Sequence, residues 1–407
     1  MTKTLSILVL DNTFTFGGAI NSLCYLIRAL DPEKFTPILV TGQPEAFLEA
    51  NFAGTIWYRY VPKLPWVNNH IYKKISSLPL FKVSSALKVL NLARFIYWLL
   101  FVTAPEAYRY YRLGKGHRVG LVHLNNILGS QLAGIICAKL LGVPCVAHLR
   151  DFEEIHPITR FYARLIDHHV AISAAIKDNL LQLGVPNEKI TVVHDALDLD
   201  EFNSDVDCDY LLREFGLAPD MPRYGIFGRV VDWKGIKEFL HAAQMIAAQV
   251  PDARGFIIGG TSDGDEAFYK KMQYLACELG LRDKVIFTGY RTDIPSMMKL
   301  MDVVVHASNT PEPFGMVVIE GMAMGKPVVA TRAGGPLDIV DEGQTGSLVE
   351  VGNAETLAQA VTVLLQQPEL RQLMGQLGRE RVEKLFNNNL YAEKMQIIFQ
   401  HVINEAV

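Results

Sequence analysis

The chain has 407 residues, half of them apolar, and a formal net charge of −4. That length exceeds what one hydrophobic core usually organises, so two domains are expected, and the charge excludes a global basic field for nucleic acid. Five scattered cysteines (Cys24, Cys137, Cys145, Cys208, Cys277) lack close pairs or zinc spacing, which fits reduced thiols in a cytoplasmic protein.

The apolar stretch ending at Leu10 is too short for a signal peptide and reads as a first buried strand. No uninterrupted apolar run reaches the roughly 18 residues of a membrane span. Strand signals follow at residues 36–40, 121–124, 145–148, 169–172 and 191–193, with helical stretches such as 19–30 and 126–141 between several of them. A second series of strands reads at 224–227, 255–258, 285–287, 303–305, 328–330 and 347–349, with helices at 234–249, 266–279 and 354–365. Such alternation predicts parallel sheets in two doubly wound, Rossmann-like α/β domains. The acidic patch Asp205, Asp207, Asp209 and the prolines Pro219 and Pro222 mark the junction. The boundary is therefore set at 205/206, with domains over 1–205 and 206–387.

Residues 57–118 form an insert of unusual charge. Between Arg59 and Arg118 stand eleven Lys/Arg and one acid, Glu106, interleaved with aromatics such as Trp66, Phe95, Trp98 and Tyr111. An uncharged stretch, 95–105, is about half a bilayer span. Basic and aromatic residues beside an apolar run suit a segment lying on an anionic membrane surface. A helical subdomain with its aromatics packed inward fits equally well, and a groove for an anionic glycan is a third reading.

The most informative stretch runs from Asn309 to Val329. Pro313 holds Glu312 extended or in a turn, and Gly315 frees the backbone before a short helix expected at 316–324. The amides of Phe314, Gly315, Met316 and Val317 lie where a helix start cradles a phosphate or sugar. Glu320, about one turn in, is better placed to accept hydrogen bonds from ribose hydroxyls. A plain helix-dipole partner is the alternative for it. Arg229 and Lys234 flank a loop between a strand and the next helix, where two fixed cations would stabilise a departing nucleoside diphosphate. Gly17 and Gly18 let the backbone approach a phosphate or acceptor, or simply form a tight turn. His148 ends a strand, where ligands sit in open α/β sheets; a structural histidine remains open. Asp198-Leu199-Asp200 and the 205–209 triplet have metal-like spacing but read as caps and solvated linker, so no metal is expected.

Glu312, seven residues and Glu320, with Phe314-Gly315 inside, resemble the retaining GT-B glycosyltransferases of glycosyltransferase family 4. Gly17-Gly18-Ala19, the segments 172–180 and 192–202, the loop 226–235 and the turn Gly334-Gly335-Pro336 match further family motifs in family order. Two departures stand out: Asp195-Ala196 replaces the usual Asn-Gly, and no acid directly follows the first glycine pair. The resemblance implies a GT-B fold with an interdomain cleft and a final helix, 388–407, returning to the first domain. It implies a hexosyltransferase-like enzyme moving sugar from a nucleotide diphosphate sugar to an acceptor hydroxyl, with retention and without metal or other cofactor. By it, Glu312 and His148 lie beside the donor sugar and Arg229 and Lys234 hold the diphosphate. A glycan or lipid-linked acceptor in cell-envelope polysaccharide synthesis, reached by a cytoplasmic enzyme peripheral to the membrane, completes the expectation. A donor-binding protein without turnover and a GT-B-related epimerase are the alternatives. A dehydrogenase is disfavoured because Gly17-Gly18 lacks the third glycine of the dinucleotide fingerprint.

Overall fold

The computed structural model describes residues 4–12, 17–60, 84–203, 205–261 and 264–406. The chain folds into two compact units. One comprises Met1–Ala171, Lys177–Val192 and Ala392–Val407, and the other Ile172–Ile176 and Val193–Tyr391.

In the first unit, seven parallel strands form one sheet: β1 (Leu5–Asp11), β2 (Phe35–Thr41), β3 (Ile56–Arg59), β4 (Leu121–Asn125), β5 (Cys145–Leu149), β6 (His168–Ala171) and β7 (Ile190–Val192). Their spatial order is β3-β2-β1-β4-β5-β6-β7. Every residue of β4, β5 and β6 is buried. Burial of successive residues is the mark of a parallel strand covered on both faces, and it extends here to His123, Asn125, His148, His168 and His169 among the apolar residues. The edge strand β3 is mostly exposed and runs into the segment read as the basic insert, so its pattern carried no strand signal. The final helix, Asn388–Ala406, joins this unit from Ala392 onward. Phe399 packs edge-on against Phe35 at 6.0 Å and against His123 at 5.4 Å between ring centres.

The second unit holds six parallel strands in the order β10-β9-β8-β11-β12-β13. They are β8 (Arg223–Phe227), β9 (Arg254–Ile258), β10 (Val285–Gly289), β11 (Val303–His306), β12 (Val328–Thr331) and β13 (Gly346–Val349). Helices Ile236–Gln249 and Ala354–Gln366 bury apolar faces into the same core, through Phe239, Leu240, Ala243, Val361 and Leu364.

Residues 193–205, assigned by sequence to the first domain, fold with the second unit. Leu197 bridges Asn387, its N–H donating to the Phe386 carbonyl at 2.9 Å, and the Arg379 guanidinium donates to the Phe202 carbonyl at 2.7 Å. The acidic spacings in this region close local turns: Asp198 Oδ1 accepts the Asp200 N–H at 3.1 Å, and Asp207 Oδ1 that of Asp209 at 2.9 Å. Of the basic insert, residues 61–83 lie outside the described residues.

Candidate active site

Strands β8, β11 and β12 are neighbours, so the loops after them share one edge of the second sheet, at the carboxyl ends where open α/β sheets take ligands. A single turn, Asp232–Lys234, follows β8; Glu312 follows β11; Gly334 and Gly335 follow β12. Lys234 Nζ donates to Glu312 Oε2 at 2.8 Å and to Oε1 at 3.1 Å, with the two side chains 16% and 13% exposed. The ammonium also lies 4.2 Å from the centre of the Trp233 ring, a desolvated cation–π contact. The sequence carries Lys234 and Glu312 on separate loops, and the structure joins them because β8 and β11 pair directly.

Three residues that sequence reasoning passed over complete this cluster. Ser308 Oγ donates to Glu312 Oε2 at 2.9 Å, His306 Nε2 lies 3.3 Å from the same oxygen, and Thr331 Oγ1 lies 3.3 Å from His306 Nδ1. Burial alone would raise the Glu312 pKa, but the His306 hydrogen bond and the Lys234 charge outweigh it and hold the carboxyl well below the usual range. Its oxygens are therefore engaged and weakly basic, which suits a charged fixture better than a nucleophile or a proton acceptor. A visible signal was available: two polar residues, His306 and Ser308, end the apolar run of β11.

The backbone at Glu312 is pinned as tightly as its side chain. Gly335 N–H donates to the Glu312 carbonyl at 2.8 Å, and Gly334 has a φ of +72°. A Cβ on Gly334 would stand 2.0 Å from the Glu312 carbonyl oxygen. Gly334→Ala is expected to cost at least about 2 kcal/mol, from left-handed strain plus displacement of this loop, readable as a lowered urea midpoint.

Gly315 opens the helix Met316–Ala323 with φ +106°, and no side chain caps that end. Gly315, Met316 and Val317 thus present main-chain groups at a helix start. The Phe314 side chain is 3% exposed and packs between His194 and Phe386, with ring centres at 5.9 and 6.0 Å, so it can offer a ligand only its backbone. Glu320 keeps part of its surface accessible, yet desolvation dominates its carboxyl and raises the pKa to about 7; Glu201 adds to the rise and Lys234 opposes it. Lys234 thereby acts on both carboxylates. Arg229 stands exposed at the end of β8, its carbonyl accepting the Val231 N–H at 3.0 Å.

Gly17, Gly18 and His148 belong to the first unit. Gly17 precedes the helix Gly18–Ala29 in extended backbone, and among the described residues a Cβ there would meet nothing within 4 Å. His148 lies one residue before the end of β5 and is 0% exposed. Burial, followed by the charge of Arg150, pushes its pKa well down and keeps the imidazole neutral. Arg150, given no role from sequence, is the centre of this region. Its guanidinium donates to Asn125 Oδ1 at 2.6 Å and Ser22 Oγ at 2.9 Å, and Asn125 in turn donates to Asp11 Oδ1 at 2.9 Å.

Two family models match the chain: Glycosyltransferase Family 4 over residues 16–201 and Glycosyl transferases group 1 over residues 212–381. The chain belongs to the group 1 glycosyltransferases. Solved structures place this group 1 chain in the GT-B fold. HepE of Anabaena in complex with UDP aligns with a TM-score of 0.78 at 22% identity, over 98% of this chain and 100% of that one. A glycosyltransferase of Rickettsia africae aligns at 0.81 and 20% identity, over 98% and 99%. Among curated relatives, the N-acetyl-alpha-D-glucosaminyl L-malate synthase of Bacillus anthracis is 26% identical over 72% of this chain and 77% of its own length. The capsular polysaccharide biosynthesis glycosyltransferase CapM of Staphylococcus aureus is 28% identical over 58% of this chain and 62% of its own.

Proposed function

We propose that this glycosyltransferase transfers a sugar from a nucleotide diphosphate sugar to an acceptor hydroxyl with retention of anomeric configuration. The observation that carries the reading is the convergence of Lys234, Glu312 and the uncapped helix start at Gly315 on one sheet edge. The helix start and Lys234, with Arg229 on the same loop, would take the diphosphate; Glu320 would take the ribose; Glu312 would stand beside the sugar. On donor binding Lys234 would exchange part of its hold on Glu312 for phosphate oxygens, whose charge grows as the bond to the sugar breaks.

In the chemical step the bond from the anomeric carbon to the phosphate oxygen breaks. A bond to the acceptor oxygen forms on the same face, and the acceptor proton passes to the departing phosphate. No protein nucleophile is needed, in keeping with a Glu312 carboxylate already engaged by Lys234, His306 and Ser308. The two cations supply the charge that a metal would otherwise bring, so we propose a metal-independent enzyme.

The UDP complex of HepE and the capsular role of CapM support a UDP-sugar donor and a glycan or lipid-linked acceptor in envelope polysaccharide synthesis. We place the enzyme in the cytoplasm, peripheral to the membrane. A heat-stabilisation screen with UDP-, GDP- and ADP-sugars is expected to single out one nucleotide, with Arg229→Ala weakening that shift. Equal indifference to all three would overturn the donor assignment.

A further inference from the structure

A continuous helical segment runs from Ser84 to Gly116, as an α-helix to Trp98, a wider turn over Leu99–Thr103 and an α-helix again over Ala104–Gly116. Its C-terminal part is anchored in the first unit: Ala107, Tyr110 and Gly114 are buried, with Gly114 against Leu141. The part before it is not. From residue 88 to residue 106 no residue is buried, although this is the most apolar part of the segment. Val89, Leu92, Ile96 and Leu100, spaced by three or four residues on one face, are 67%, 58%, 46% and 56% exposed, and Phe101 is 66% exposed. An ordinary surface helix turns such a stripe inward; this one turns it out.

Charge identifies what covers it. Residues 84–118 carry Lys88, Arg94, Arg109, Arg112, Lys115 and Arg118 against one carboxylate, Glu106, in a chain whose net charge is −4. That carboxylate accepts a hydrogen bond from Tyr110. Two copies of the same cationic face repel one another, whereas an anionic, apolar-cored surface satisfies both features. The uncharged run 95–105 is too short to cross a bilayer, and among the described residues no helix is long and apolar enough to do so. A stripe of this kind lies in the interface plane, apolar side chains in the acyl boundary and cations at the headgroups.

We propose that the outward face of the segment 84–116 docks this enzyme on an anionic lipid bilayer. The proposal does not depend on sugar transfer, because it is read from lipid binding alone.

The test is flotation of the full chain with phosphatidylcholine vesicles prepared with and without phosphatidylglycerol. Binding is expected only with the anionic lipid, weakened by added salt. The variant carrying Leu92→Asn, Ile96→Asn and Leu100→Asn is expected to lower the partition coefficient at least about tenfold. Because all three positions are exposed, its circular dichroism should match the parent. Should that variant lose its fold, Lys88→Glu with Arg112→Glu and Lys115→Glu carries the test and is expected to abolish the preference for anionic vesicles. A parent protein that stays with the lipid-free fraction at low salt overturns the proposal. So does undiminished flotation of either folded variant, or a parent dimer that the apolar variant dissolves.

Discussion

Lys234→Ala is expected to lower sugar transfer by at least about tenfold and to destabilise the protein by about 3–5 kcal/mol. The two losses have different origins. Stability falls because Glu312, 13% exposed, would keep a buried charge with its closest cation removed. Turnover falls because the ammonium is best placed to meet charge that develops on the leaving diphosphate. The double variant Lys234→Met with Glu312→Gln separates them: a neutral pair of similar volume should recover most of the lost stability and none of the lost turnover. Near-normal transfer in Lys234→Ala would remove this residue from the chemistry.

Acid unfolding gives the same pair a second readout. The folded-state pKa of Glu312 is depressed below its unfolded value of about 4.3. Its contribution is therefore fully present above that value and is lost as the pH falls through the lower, folded one. Lys234→Ala should shrink this acid-labile part without erasing it, since His306 and Ser308 still hold the carboxylate.

How far such a site can be read from a sequence depends on what shapes each part. Strands such as β4, β5 and β11 are buried on both faces, so each leaves a mostly apolar run that chain order alone exposes. Strand β3 is an exposed edge and leaves none. Glu312, Gly315 and Glu320 were legible because one turn and one helix fix their spacing. The Lys234–Glu312 pair was not, since its members lie 78 residues apart and meet only through the pairing of β8 with β11. His148 meets the same limit: its place near a strand end is visible in the sequence, but its burial, and the Arg150 that Asn125 and Ser22 hold nearby, are not.

Glu320 carries the other large expectation: nucleotide affinity should rise with pH through about 7 and then level off. A ribose presents hydroxyl donors, so it binds the charged carboxylate more tightly than the protonated acid. Binding near neutrality should then release a proton, which calorimetry in buffers of different ionisation enthalpy would detect. Glu320→Gln should abolish this pH dependence and weaken binding by about 1.5–3 kcal/mol, the worth of hydrogen bonds to a charged group. Stability without nucleotide must move the opposite way. A carboxyl raised from about 4.3 to about 7 keeps its proton in the folded state while the unfolded chain loses it. Its ionisation therefore erodes stability as pH climbs across that window. Glu320→Gln should flatten that decline. Affinity that ignores pH in the parent, alongside a stability curve that Glu320→Gln leaves unchanged, would leave this carboxylate as a helix-dipole partner only.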